Sequence, residues 1–375
     1  MSSALFVSNG HGEIAIAARI ARETGRLAQV RCDHLALVGS SSEPTLNDVG
    51  PRRKMPSGGM IAMGNVANIV RDIAAGLGPL TIAQWRFLAS AGTSYDVVVA
   101  VGDAFALFMA LRARRALVFV GTARSVHVAP PGRFEQSLMR RASAVFVRDD
   151  ATVRRLETGG VHAVAANVMA DLGVPERLER PGLCGEPRIA IFPGSRESAY
   201  ENASFLLAVV REARAAARGL RAVLSVAPAV QAARLAEAVA GVDLRVVPRD
   251  DALEPFSIFE GEIEVARAWS GEIGAAIERA ALVLGQAGTA NEAAAAAGIP
   301  VVAFEGGGGW YRRRQAALLD GALRVFPRDA IAGARELVRL LENTGERETM
   351  SRIGRDRLGP PGAALRIAET IVQLC

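Results

Sequence analysis

Gly285-Gln286-Ala287-Gly288-Thr289-Ala290-Asn291-Glu292 follows the apolar run Ala281-Leu282-Val283-Leu284 and precedes a second one, Ile299-Pro300-Val301-Val302-Ala303-Phe304. The pattern reads as strand, small-residue turn, alanine-rich helix, strand. Short uninterrupted apolar strands are buried on both faces, the mark of a parallel sheet covered by helices. The turn carries the chemistry. Gly288 and Thr289 fall where a helix begins, and the first N–H groups of a helix have no intrahelical acceptor. Such a terminus binds phosphate. Glu292 lies one turn further in, within reach of a ribose diol. The plain alternative is an alanine-rich packing helix on which Glu292 faces solvent.

The same grammar runs along the whole chain. Apolar strands are expected at 4–7, 35–38, 97–101, 117–120 and 144–147, with helical segments between them at 12–24, 104–114 and 149–157. After Leu172-Gly173-Val174-Pro175-Glu176-Arg177, part of a Pro/Gly-rich charged stretch over 172–187, the grammar restarts. Strands are then expected at 189–192, 222–226, 244–247, 282–285, 301–304 and 323–326. The chain therefore reads as an N-terminal α/β domain over 1–171, a linker over 172–187, a second α/β domain over 188–354, and a C-terminal helix over 355–375 that packs back on the first domain. At 375 residues, two cores are expected rather than one. Ligands of open α/β sheets lie beyond the carboxyl ends of the strands, so a cleft between the two domains is the expected site.

Bulk properties narrow the class. The formal net charge is +5, and Lys54 is the one lysine among 44 basic residues. This balance suits an acidic partner such as anionic lipid or a phosphate-bearing substrate; nucleic acid is not expected. Cys32, Cys184 and Cys375 are odd in number and far apart, which fits neither a disulfide framework nor a zinc site. No uncharged apolar run reaches the length of a membrane span, and Met1-Ser2-Ser3 enters a strand directly. A cytoplasmic protein is expected, with any contact to the inner face of the plasma membrane peripheral.

Three further strand-to-helix turns carry candidate chemistry. Ser8-Asn9-Gly10-His11-Gly12-Glu13 offers an imidazole and a carboxylate on a glycine turn; Asn9 as a helix N-cap is the bland reading. Asp103 follows Gly102 at the end of a buried strand, where it suits a general base and equally an N-cap. Phe192-Pro193-Gly194-Ser195-Arg196-Glu197 can offer Ser195 and the Arg196 fork to a phosphate. The run Glu305-Gly306-Gly307-Gly308-Gly309-Trp310-Tyr311-Arg312-Arg313-Arg314-Gln315 lets backbone near Gly308 lie against a ligand, and the Gln315 amide suits sugar hydroxyls. Residues 52–63, Arg52-Arg53-Lys54-Met55-Pro56-Ser57-Gly58-Gly59-Met60-Ile61-Ala62-Met63, mix cations with apolar side chains, as a lipid-contacting loop or an ordinary solvated one. His34, His127 and His162 read as structural. Trp269-Ser270-Gly271-Glu272 reads as the start of a helix.

The first turn, Pro193-Gly194-Ser195-Arg196 and Gly288-Thr289-Ala290-Asn291-Glu292, together with the ending Arg357-Leu358-Gly359-Pro360-Pro361-Gly362-Ala363, resemble in order and spacing the lipid-A-disaccharide synthase-related glycosyltransferases. The resemblance spans nearly the whole chain. It implies a GT-B fold, with two Rossmann-like α/β domains whose parallel sheets face an interdomain cleft. It also implies inverting, metal-independent transfer from a UDP-sugar, with no cofactor. In that family's terms Glu292 holds the ribose, and Gly288 with Thr289 the diphosphate. Ser195 and Arg196 lie near the phosphates, Gln315 touches the donor sugar, and Gly308 belongs to the donor loop. Asp103 stands where the synthases carry an essential acid. His11 is similar to the turn histidine of the peptidoglycan N-acetylglucosaminyl transferase, with Glu13 beside it. Two departures fall on the acceptor side. The first turn reads SNGHGE where the synthases have a Ser-Gly-Glu-x-Ser-Gly-Asp-type turn. Asp103 lies in Gly-Asp-Ala-Phe rather than Asp-x-Pro-Asp-Phe.

The expected activity is transfer of a sugar from a nucleotide-sugar donor to a lipid or lipid-linked acceptor, with Asp103 or His11 as base. A UDP-sugar 2-epimerase and a non-catalytic nucleotide-sugar or lipid-binding module are the alternatives.

Overall fold

The structure, a computed structural model, describes residues 2–39, 45–53, 55, 66–177, 179–183, 188–241, 244–306 and 310–375. It divides into two compact units, Met1–Asp171 with Pro361–Cys375, and Leu172–Pro360.

In the first unit the chain runs β1 (Ser2–Asn9), α1 (His11–Leu27), β2 (Val30–Val38), β3 (Asn47–Asp48), α2 (Val66–Ala74), α3 (Leu77–Ser90), β4 (Val97–Gly102), α4 (Ala104–Ala110), β5 (Ala116–Gly121), α5 (Arg133–Met139), β6 (Ala144–Val147), α6 (Asp150–Glu157), β7 (Val164–Ala165) and α7 (Val168–Leu172). The sheet order is β3-β2-β1-β4-β5-β6-β7, all parallel. Alternate strand residues face opposite layers. Leu5, Val7, Val98, Ala100, Leu117 and Phe119 enter one core with Leu107 and Met109 of α4. Full burial of a Leu, Val or Phe side chain stabilises by about 1.5–3 kcal/mol, and it is the helices packed on the sheet that supply this burial.

The order places β1 at the centre. The chain leaves β1 towards β2 on one side and returns to β4 on the other. Loops after β1 and β4 therefore diverge and open a crevice at their carboxyl ends, the switch point where such folds bind ligands.

The second unit continues with β8 (Arg188–Phe192), α8 (Ser198–Ala213), β9 (Arg221–Ser225), α9 (Ala232–Ala240), β10 (Arg245–Pro248), β11 (Phe256–Glu260), β12 (Ile263–Trp269), α10 (Ile273–Ile277), β13 (Leu282–Gly285), α11 (Thr289–Ala296), β14 (Val301–Phe304), α12 (Trp310–Leu319), β15 (Leu323–Phe326), α13 (Ala330–Glu342) and α14 (Thr344–Leu358). Its sheet order is β10-β11-β12-β9-β8-β13-β14-β15. From β12 to β15 neighbouring strands are parallel, but β10–β11 and β11–β12 are antiparallel. The expectation of purely parallel sheets is thus corrected at one edge. Two turns reverse the chain there: one over 249–255 between β10 and β11, where the Arg249 N–H donates to Pro255 O at 2.9 Å, and a two-residue hairpin, Gly261-Glu262, between β11 and β12, with Gly261 at φ 60°. A positive φ is what a tight hairpin turn requires. The switch point of this sheet lies between β8 and β13.

Two segments near the unit boundaries differ from expectation. The described part of 172–187 is fastened to the second unit: the Glu176 N–H donates to Glu272 Oε2 at 2.7 Å and the Gly182 N–H to Glu254 Oε1 at 2.6 Å. The C-terminal residues do not form one helix from 355. Helix α14 ends at Leu358, and Gly359-Pro360-Pro361-Gly362 interrupts, with both glycines at positive φ. A second helix, α15 (Ala363–Leu374), then packs on α1. Asp171 anchors it by accepting from the N–H groups of Gly362 at 2.7 Å and Ala364 at 3.0 Å. Burial raises the Asp171 carboxyl pKa, and these two donors act in the opposite direction.

Candidate functional site

At the switch point of the first unit the structure brings Asn9, His11, Glu13 and Asp103 together. The end of β1 turns at Gly10 (φ 128°) and the end of β4 at Gly102 (φ 137°), both in glycine territory. Glu13 occupies the space these glycines leave open. A Cβ on Gly10 would lie 2.8 Å from Glu13 Oε2, and one on Gly102 would lie 3.3 Å from Glu13 Cγ. A Cβ on Gly39, just past β2, would lie 3.8 Å from His11 Cε1. Gly10, not Asn9, caps α1, and it does so without a side-chain bond. Asn9 instead donates through Nδ2 to Asp103 Oδ2 at 3.4 Å.

Asp103 is the N-cap the sequence allowed. Its Oδ1 accepts from the N–H groups of Phe105 at 3.0 Å and Ala106 at 3.1 Å, capping α4. Its Oδ2 is turned towards Asn9. Beside it lies a shallow depression lined by Asp103, Phe119, Arg124, Glu135, Met139 and Val147, among others. Glu135 accepts from Arg124 Nε at 3.0 Å and from the Gly132 N–H at 2.9 Å, so its charge is already matched. His34 is buried elsewhere in this unit, bonded to Ser8 Oγ at 2.8 Å and to Asp48 Oδ1 at 2.9 Å, as a structural histidine would be.

In the second unit the opening turn lies at the switch point, beside the turn after β8. The Gln286 N–H donates to Phe192 O at 2.8 Å, and a Cβ on Gly194 (φ 116°) would lie 3.9 Å from Gln286 O. Ser195 is half-buried and Arg196 exposed on that neighbouring turn. Buried side chains draw the carbonyls of the 285–288 turn inward. Asn291 Nδ2 donates to Gly285 O at 3.1 Å and Arg312 Nη2 to Gln286 O at 2.7 Å. Gln315 Nε2 donates to Ala287 O and Gly288 O, each at 3.2 Å. The N–H groups of Ala287, Gly288, Thr289 and Ala290 have no acceptor among the described residues. Carbonyls turned in and consecutive amides left over make a nest for an anion, reinforced by the start of α11. Glu292 is buried on the first turn of that helix.

Gln315 is fully engaged within the protein. Its two amide hydrogens are given to Ala287 and Gly288, and its Oε1 accepts from Asn291 Nδ2 at 3.3 Å and from Arg312. A glutamine amide has two donors and two acceptor sites. All four are engaged, so in this structure Gln315 braces the turn. Gly308 lies outside the described residues, as do Cys184 and most of the loop 52–63. Of that loop, Arg52 pairs with Asp48 at 2.9 Å, Arg53 donates to Ala75 O at 2.7 Å, and Met55 is buried. Trp269 ends β12, and Glu272, expected at a helix start, makes no side-chain cap to α10; it holds Glu176 instead.

Sequence reasoning missed Asn291, Arg312 and Tyr311. A Cβ on Gly285 would lie 1.7 Å from Asn291 Oδ1, and one on Gly288 would lie 2.2 Å from Tyr311 Oη. The available signal was spacing: Arg312 and Gln315 stand at i and i+3 on one helix and so share a face.

No protein-family model matches the chain, and no curated protein sequence does. Solved structures do. MnaA from S. aureus, in a co-structure with UDP, matches with a TM-score of 0.62 and 11% identity, over 100% of this chain and 98% of that one. A putative UDP-N-acetylglucosamine 2-epimerase from Listeria monocytogenes matches with a TM-score of 0.59 and 14% identity, over 99% and 96%. The glycosyltransferase SnogD from Streptomyces nogalater matches with a TM-score of 0.55 and 17% identity, over 100% of both chains. At these identities the likeness is one of fold: two α/β domains with parallel-strand sheets, of the GT-B type that glycosyltransferases and 2-epimerases share.

Proposed function

We propose that the chain is an inverting glycosyltransferase that takes a sugar from a UDP-linked donor, UDP-N-acetylglucosamine or a close relative, to a lipid or lipid-linked acceptor. The observation that carries this reading is the turn after β13, where four consecutive N–H groups lack an acceptor among the described residues at the start of α11. A leaving diphosphate gathers negative charge as the glycosidic bond breaks. Fixed amides aimed at that charge stabilise the transition state without reorganising. Glu292 holds the ribose hydroxyls, and Ser195 with Arg196 completes the phosphate contacts from the neighbouring turn. In the first unit Asp103, steered by Asn9, takes the proton of the acceptor hydroxyl, with His11 and Glu13 alongside. These charges do the work a metal ion does in other transferases, so none is invoked.

The lipid acceptor is supported by the surface of the first unit. Helices α2, α3, α4 and α5, each adjacent to the next, expose Ile73, Ile82, Phe105, Phe108 and Phe134. With the net positive charge, these apolar side chains suit peripheral contact with an anionic membrane surface. No helix among the described residues is long and apolar enough to cross a membrane.

A second reading, UDP-sugar 2-epimerase, is favoured by two observations. One of the three similar structures reported above is of a putative UDP-N-acetylglucosamine 2-epimerase. Glu13, Asp103 and Glu135 also gather carboxylates at one edge of the first unit. Incubation with UDP-N-acetylglucosamine, with and without membrane lipid extract, separates the readings. Sugar appearing on lipid supports transfer, and an isomerised nucleotide sugar supports epimerisation. Binding with no turnover of any UDP-sugar tested would leave a binding module and overturn both. Glu292→Ala is expected to weaken UDP binding by roughly 1–3 kcal/mol, the range for hydrogen bonds to a charged group. Calorimetry that finds the affinity unchanged removes Glu292 from the site.

A further inference from the structure

Arg312 is nearly as buried as the core around it, at 7% exposure, yet it faces only neutral oxygens. Its guanidinium donates to Gln286 O and to Gln315 Oε1, and its remaining neighbour is the Tyr311 ring, 5.6 Å from the guanidinium carbon. No carboxylate among the described residues pairs with it. Burying a cation without a counter-ion is costly. Burial lowers its pKa accordingly, although arginine stays charged in proteins. A neutral glutamine would brace a carbonyl at smaller cost. Retention of a full charge beneath the nest makes sense when an anion arrives above it.

We propose that Arg312 is a positioning residue of the nucleotide site: it holds the Gln286 peptide and supplies the buried positive charge to which the donor's diphosphate is drawn. This rests on the nucleotide-sugar reading above and adds a division of labour within it. Arg196 is exposed, and solvent and salt screen its charge. Arg312 is shielded from both. At an effective dielectric near 20, a unit charge about 8 Å away changes the affinity of a singly charged anion by roughly 30-fold. Uridine, which lacks the phosphates, should not feel it.

The test is calorimetry of UDP and uridine on the whole protein and on Arg312→Gln and Arg312→Lys. For Arg312→Gln the expected result is UDP affinity down by about 10- to 100-fold, with uridine affinity changed by no more than about threefold. Arg312→Lys keeps the charge and should hold the ratio of UDP to uridine affinity within about fivefold of the parent, even where both fall. If both ligands weaken equally in Arg312→Gln, the residue is merely structural and the proposal is overturned. Unchanged binding of both overturns it as well. If Arg312→Gln does not fold, Arg312→Lys decides: a preserved ratio supports the proposal and a collapsed ratio ends it. If the parent protein itself binds no UDP, the nucleotide reading has failed first, and this inference falls with it.

Discussion

Asp103→Asn is expected to lower kcat for sugar transfer by about 10²- to 10⁴-fold, the usual contribution of a positioned general base. The Kd for UDP and the thermal midpoint should stay near the parent values. That the proposed base also caps α4 makes the substitution informative. As an N-cap its Oδ1 accepts from Phe105 and Ala106, and asparagine caps a helix about as well as aspartate. The variant therefore keeps the cap and removes the charge. Its new amide would face Asn9 Nδ2, donor against donor, but an amide rotation at Asn9 presents an oxygen instead. A stability change is thus expected to be under about 1 kcal/mol. The readout is initial rate with UDP-N-acetylglucosamine and membrane lipid extract, beside calorimetry with UDP. A variant with full activity moves the base to His11 at the start of α1, and His11→Gln should then carry the loss. A variant that loses UDP binding would mean that Asp103 serves the donor rather than the acceptor.

How far the sequence reached depends on which interactions are local. The central strands were legible because uninterrupted apolar runs such as Val97–Val101 and Val301–Phe304 can be satisfied only inside a covered sheet. The turns at Gly10 and Gly102 were legible because a glycine between a strand and a helix often has a backbone reason to be there, and both adopt positive φ. Strands β11 and β12 were not read, although Gly261-Glu262 between two alternating runs is a hairpin signal. Their residues are half-exposed at one end, so their apolar pattern is weak. The direction of Gln315 was also out of reach. A polar side chain on an arginine-rich helix looks solvent-facing until α12 is placed against the β13 turn, and that placement is a tertiary fact. The same holds for Arg312, whose two neighbours Arg313 and Arg314 share its identity but not its burial. Composition marks three cations there; packing selects one.

Gly354→Ala is the second large effect expected, and here two opposing terms must be weighed. Within a helix, alanine is favoured over glycine by about 0.8–1.0 kcal/mol. Gly354 lies in α14, so propensity alone predicts a gain. A Cβ there, however, would lie 2.2 Å from Ala295 O, 3.0 Å from Ala295 C and 3.3 Å from Ala295 Cα. All three are backbone atoms of α11, so no side chain can rotate away. Overpacking a well-filled core typically costs 1–3 kcal/mol and sometimes more. With helix backbone as the obstacle the upper end applies, and a net loss of roughly 2 kcal/mol is expected. For a unit of this size that lowers the midpoint by about 4–8 °C. Gly345→Ala is the internal control: it lies in the same helix, and its new Cβ would meet only Asn343 Oδ1 at 3.9 Å. It should be neutral or stabilising. The loss should also be felt at the nucleotide turn. If α11 shifts to admit the methyl group, its first turn carries the Thr289 and Ala290 amides and Glu292 with it. A displacement near 1 Å is enough to break hydrogen-bond geometry, because N–H···O distances tolerate only about half an ångström. UDP affinity is therefore expected to fall in Gly354→Ala and to hold in Gly345→Ala. If Gly354→Ala unfolds no earlier than its control, the close approach of α14 to α11 is wrong. If it unfolds early but binds UDP normally, α14 rather than α11 has moved to admit the methyl group.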